Sequence, residues 1–161
     1  MGKILLSALF ALLAINFLFA SCPKASRSIN LAAVTGENSG GVFLLEVETR
    51  PGNGTIYTSI LPRVGFLTQE SQEAAVNYAF SSSGFSRHEC DVLFKIKGNF
   101  GENSVDGPSA GGAMAVALRA ALLNKTVRQD VVMTGSLLPD GKIGEVGGVI
   151  EKGIGVAEAG A

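Results

Sequence analysis

The run DGPSAGGAM, Asp106 to Met114, holds a serine placed as a nucleophile would be. Gly107-Pro108-Ser109-Ala110-Gly111 is a literal Gly-x-Ser-x-Gly. In α/β-hydrolases that elbow exposes the serine, and the histidine base follows it in the chain. Here the only histidine, His88, precedes Ser109. A serine hydroxyl attacks poorly until a base takes its proton, so Ser109 needs another partner. A neutral lysine can serve, as the Ser-Lys variants of the triad show. Free lysine titrates near about 10.4 and a useful base at about 7–8. A catalytic lysine therefore has to sit in dry surroundings that disfavour its charge. Lys152 has such neighbours, because EVGGVIEKGIGVAEAG surrounds it with glycine, valine and isoleucine. Lys125 falls in a loop and Lys142 beside a hairpin turn. Lysine is almost never fully buried, so local sequence leaves a solvated lysine on a helix face as the alternative.

Other fragments imitate motifs and fail. GSLLPDGKI has five residues between its glycines, and Ile143 stands where a phosphate loop needs a hydroxyl. GIGVAE puts Glu158 where a dinucleotide fingerprint wants its third glycine. HECDV lacks a second histidine, so no metal site is expected, and no cofactor either. SCPK matches Ser-x-x-Lys but lies at the end of the apolar N-terminal segment.

The elements that would position these residues form a mixed α/β unit without internal repeats. GVFLLEVETR (Gly41–Arg50) reads as a buried strand, PGNG as a turn, and TIYTSI (Thr55–Ile60) as its hairpin partner. TQESQEAAVNYAFSSSGF reads as a helix that Thr68 caps and Gly84 ends. DVLFKIKG is a strand, and SAGGAMAVALRAALLN is a helix beginning at Ser109. DVVMTGSLL and KIGEVGG flank a turn at Asp140-Gly141, and VIEKGIGVAEAGA opens a final helix.

Net charge is −1 and no basic run is present, which argues against nucleic acid. From Ile4 to Ala20 the chain is apolar apart from Ser7 and Asn16. That is long for a signal-peptide core of about 7–15 residues and at the lower limit of a span of about 17–25. Residues 1–22 are expected to be a signal peptide or anchor, 23–28 a linker, and 29–161 the folded domain. The protein is thus expected to be exported or membrane-anchored. Cys22 ends the apolar segment, where lipid attachment would occur. Cys90 stands alone in the domain, and two cysteines so far apart give no disulfide framework.

At this point the residues resemble a family. DGPSAGGAM resembles the nucleophile motif of the Lon protease proteolytic domain, and VVMTGSLLPDGKIGEVGGVIEKGIGVAEAG resembles the Lon block that follows. TQESQEAAVNYA resembles the helix preceding the nucleophile. The spacings from Ser109 and Thr134 to Lys152 are those of the family pattern. The resemblance implies an α+β fold of small mixed sheets with packed helices, Ser109 as nucleophile and Lys152 as general base. It implies that Thr134 orients the lysine and that Asp106 shapes the loop. Gly107, Pro108, Ala110 and Gly111 would set the loop geometry around an oxyanion, with the two glycines admitting substrate backbone.

The chain resembles the membrane-associated variety without an ATPase module. It lacks the histidines many Lon proteins carry before the nucleophile, and the strand and helix that follow in Lon are expected to be missing. The reading is an ATP-independent serine endopeptidase acting on peptides or unfolded polypeptides. Domains of this type commonly assemble in rings, so a homo-oligomer is a further expectation. A non-catalytic binding or assembly module on the same fold is the alternative. An esterase would require a histidine beyond residue 161.

Overall fold

The computed structural model describes residues 21–98 and 104–160. Strands β1 (Ala25–Gly36) and β2 (Ser39–Pro51) form a long antiparallel hairpin. In β2 every second residue, Phe43, Leu45, Val47 and Thr49, is buried, the period of a strand with one face on the core. Strand β4 (Cys90–Lys97) lies against β2 antiparallel and puts Val92, Phe94 and Ile96 on the same face. Helices α1 (Phe66–Ser83) and α2 (Gly111–Leu122) cover that face with Ala75, Val76, Met114 and Leu118. The opposite face is polar, with Lys95 paired to Glu48 at 3.0 Å and Lys97 paired to Glu46.

Short strands complete the mixed sheet, whose order is β3-β4-β2-β1-β5. β3 (Ile56–Thr58) runs parallel to β4, and β5 (Val132–Met133) parallel to β1. A separate hairpin joins β6 (Ser136–Leu137) to β7 (Ile143–Gly144) through Asp140-Gly141. Helix α3 (Val149–Glu158) ends the described chain. The architecture is the α+β arrangement expected.

Several expectations are corrected. TIYTSI is not the hairpin partner of β2, because β4 inserts between β2 and β3. The Asp91 carboxylate holds the intervening turn by accepting the N–H of Asn53 and Thr55, at 3.0 and 3.1 Å. The true partner, β1, begins at Ala25, within the stretch read as a linker. Thr68 lies inside α1, which starts at Phe66.

Cys22 and Cys90 are joined in a disulfide, which overturns both the unpaired reading and lipid attachment at the Cys22 sulfur. The register explains it. Ala25 pairs with Thr49 and Pro51 pairs with Cys90, so residues 68 apart in sequence meet across the sheet. Of the leader reading of residues 1–22, positions 1–20 lie outside the described residues, among which no helix is long and apolar enough to cross a membrane.

Candidate active site

The loop leading to Ser109 is held before the serine is reached. Val105 bridges Val64 in parallel, its N–H donating to Arg63 O and its O accepting from Gly65 N–H, both at 2.8 Å. Asp106 then accepts two backbone N–H bonds, from Thr68 at 3.1 Å and Gly107 at 2.9 Å. Thr68 is the third residue of α1, whose N-cap Gly65 offers no side chain. Asp106 therefore caps the helix from outside, satisfying one of the N–H groups that every helix start leaves open. The Thr68 hydroxyl closes the ring by donating to Gly107 O at 3.2 Å. Gly65 is required there, because a Cβ would lie 2.3 Å from the Asp106 Cγ.

Gly107 has φ +132° with open space around it, a conformation that side chains resist. Pro108, Ser109 and Ala110 form a 3₁₀ turn, and α2 begins only at Gly111. Ser109 thus precedes the helix rather than opening it. Gly111 is buried, and a Cβ on it would meet Leu137 N at 3.1 Å. Its smallness serves close packing on β6. Two bonds tie the turn to the chain around Thr134: Gly135 N–H donates to Ser109 O at 2.8 Å, and Gly112 N–H to Gly135 O at 3.0 Å. The Thr134 hydroxyl donates to Ser109 O at 3.5 Å, so the bond it makes is to the serine's backbone. The structure brings Thr134 to the Ser109 turn, and its expected bond to Lys152 stays an expectation.

Lys152 is brought in by α3. Its residue is only 6% exposed, and that burial pushes the ammonium pKa below 10.5 by penalising the charged form. What lets α3 come so close is a contact between glycines. A Cβ on Gly155 would lie 2.2 Å from Gly40 C, and one on Gly40 would lie 2.1 Å from Glu151 O. Helix backbone rests directly on hairpin backbone. Neither glycine was singled out in the sequence, although a glycine inside a helical pattern already signals a packing reason.

This makes a paired prediction. Gly155→Ala forces the helix off the hairpin and destabilises the domain by about 1–3 kcal/mol, the range for overpacking. Gly153→Ala, two residues earlier, meets nothing within 4 Å and stabilises by about 0.5–1 kcal/mol through helix propensity. Thermal melts of the two variants check both signs.

Ser109, Asp106 and Lys152 line one pocket of about 460 Å³, walled by Leu31, Phe43, Ile96 and Val105. Ser109 is half-buried there. His88 is exposed on the Arg87–Glu89 turn before β4 and takes no part in the pocket. Among the described residues, no group of three or more His, Cys, Asp or Glu could hold a metal ion.

The Lon protease (S16) C-terminal proteolytic domain matches residues 25–161. Lon protease 2 of Herpetosiphon aurantiacus is 33% identical over 135 residues, 79% of this chain and 16% of that protein. Lon protease 1 of Bacillus subtilis is 34% identical over 125 residues, 75% of this chain and 16% of its own length. Lon protease of Lawsonia intracellularis is 36% identical over 120 residues, 70% of this chain and 14% of that protein. The chain therefore spans about a sixth of the curated relatives it matches. With the family model matching residues 25–161 and relatives at 33–36% identity over most of the chain, the chain belongs to the Lon protease (S16) C-terminal proteolytic domain family.

Proposed function

We propose that this protein is an ATP-independent serine endopeptidase that cuts peptides and unfolded polypeptides through a Ser109–Lys152 dyad. The observation that carries the reading is the shared pocket, with a serine on a clamped turn and a buried lysine of lowered pKa on its wall.

In that reading the neutral Lys152 amine takes the proton of the Ser109 hydroxyl as the oxygen attacks the scissile carbonyl. Negative charge develops on the carbonyl oxygen. Pro108 has no N–H and the Gly111 N–H is bonded to Pro108 O, so the Ser109 and Ala110 N–H groups, which precede any helical acceptor, are the donors that meet it. The Gly112 N–H is committed to Gly135 O and is not among them. The Lys152 ammonium returns its proton to the leaving amine, leaving a Ser109 ester. Water, deprotonated by the same amine, hydrolyses that ester. Asp106 and Thr134 hold the backbone on either side of the nucleophile. Every group used in breaking the bond comes from the chain itself. Export or anchoring is supported by the Cys22–Cys90 disulfide, a bond that persists in oxidising compartments, and by the apolar run Ile4–Ala20.

The test is cleavage of an unfolded protein by the full chain without nucleotide. Wild type is expected to cut, and Ser109→Ala to be inactive with an unchanged thermal melt. Cleavage that survives in Ser109→Ala would sink the dyad. A folded wild type that cuts nothing would favour the non-catalytic binding module.

A further inference from the structure

Among the described residues, β3 is an edge strand of the sheet, away from the catalytic pocket. Ser59 N–H donates to Phe94 O and Thr55 O accepts from Val92 N–H, both at 3.0 Å. Backbone groups alternate sides along a strand. Thr55, Tyr57 and Ser59 therefore face β4, and the N–H and C=O of Ile56 and Thr58 point outward. An exposed edge of this kind is a template for another strand. The side chains divide the same way. Tyr57 lies on the other face under Arg50, 5.0 Å from its ring centroid, while Ile56 and Thr58 line a groove of about 460 Å³ between β3 and α1.

That groove is not a passive crevice. Gln72, on its α1 wall, is only 3% exposed. Its Oε1 accepts the Thr58 hydroxyl at 2.8 Å, and its Nε2 has no partner. A buried amide left unsatisfied is costly, on the order of 1–3 kcal/mol, and calls for a ligand acceptor. Glu70 and Glu73 add two carboxylates to the same wall. Arg87, across from them, already donates to Asn77 Oδ1 at 2.7 Å.

We infer that the β3–α1 groove docks an extended, basic stretch of polypeptide, which joins the sheet as an added strand outside β3. Main-chain bonds to Ile56 and Thr58 supply the pairing, as in other strand-addition sites. A carbonyl or side-chain oxygen of the bound segment satisfies Gln72 Nε2, and its lysines or arginines meet Glu70 and Glu73. Beyond Thr58 the chain leads through residues 59–65 to the Val64–Val105 bridge and the nucleophile loop. A segment held here is delivered toward Ser109. Binding itself does not depend on the peptidase reading.

The experiment uses the full chain carrying Ser109→Ala, so that no probe is cut. The probes are fluorescein-labelled hexapeptides alternating lysine with valine, or glutamate with valine. The lysine peptide is expected to bind at least about tenfold more tightly than the glutamate peptide. Glu70→Lys with Glu73→Lys should reverse that order. Gln72→Met should weaken binding about fivefold or more without lowering the thermal melt, since it removes the orphaned amide. Hydrogen exchange should slow at the Ile56 and Thr58 amides on binding and not at Tyr57, whose amide already faces β4. Equal binding of the two peptides, or protection confined to other amides, would overturn the inference. Neither result bears on cleavage by wild type, so the two readings fail separately.

Discussion

Lys152→Met is expected to abolish catalysis and leave the domain at least as stable as wild type. Methionine matches the lysine stem in length and flexibility but carries no charge to desolvate. Loss of a general base lowers the rate by about 10²–10⁴-fold. Stability moves the other way because the folded protein holds the amine where its charge is penalised. The pH dependence follows from that one shift. Burial lowers the Lys152 pKa below 10.5, so between the lowered value and 10.5 the unfolded chain binds a proton that the folded chain does not. Wild-type stability therefore rises with pH across that window. Below the window both forms are charged, and the folded state carries the full penalty. The melting advantage of Lys152→Met should be greatest there and close as pH approaches 10.5. Wild-type kcat/KM should climb with pH to a plateau, with its midpoint below the ordinary lysine value. Melts and hydrolysis rates over the same pH series read both effects. A variant that melts earlier than wild type at neutral pH would contradict the desolvated lysine.

The second large effect is on stability. Cys22→Ser with Cys90→Ser opens a covalent loop spanning a separation of 68 residues. By chain entropy such a loop is worth about 4 kcal/mol, a large part of the about 5–15 kcal/mol that holds a typical domain folded. Dithiothreitol should lower the wild-type melt toward that of the double variant and leave the variant unmoved. The bond joins the start of the domain to the N-terminal end of β4. The pocket lies toward the other end, at Ile96. Peptide cleavage below the melt should therefore change little on reduction.

How far the sequence disclosed this arrangement depended on the range of the interaction. Ser109 stood out from its local motif, whereas Lys152 was singled out as the base only through the resemblance to the Lon block; both line one pocket. Helix α1 and the hairpin at Asp140-Gly141 were legible from period and turn chemistry. β1 was not picked out, although the turn-type run GENSGG closes it, because its pairing with β2 is what defines it. The insertion of β4 between β2 and β3 is a choice of topology that no local pattern carries. Gly40 and Gly155 matter only as a pair far apart in sequence, as do Cys22 and Cys90. Asp106 was placed in the loop correctly, but its service to the start of α1 could be seen only once Thr68 lay beside it.

The most direct test of the dyad is to treat the full chain with a fluorophosphonate and map the adduct by peptide mass spectrometry. An activated serine attacks phosphorus, the P–F bond breaks with loss of fluoride, and the serine stays covalently modified. Ser109–Lys152 chemistry predicts a single adduct on Ser109 in wild type, forming faster as pH rises, and none above background in Lys152→Met. An adduct on another residue, or equal labelling of Ser109 in wild type and Lys152→Met, would contradict it.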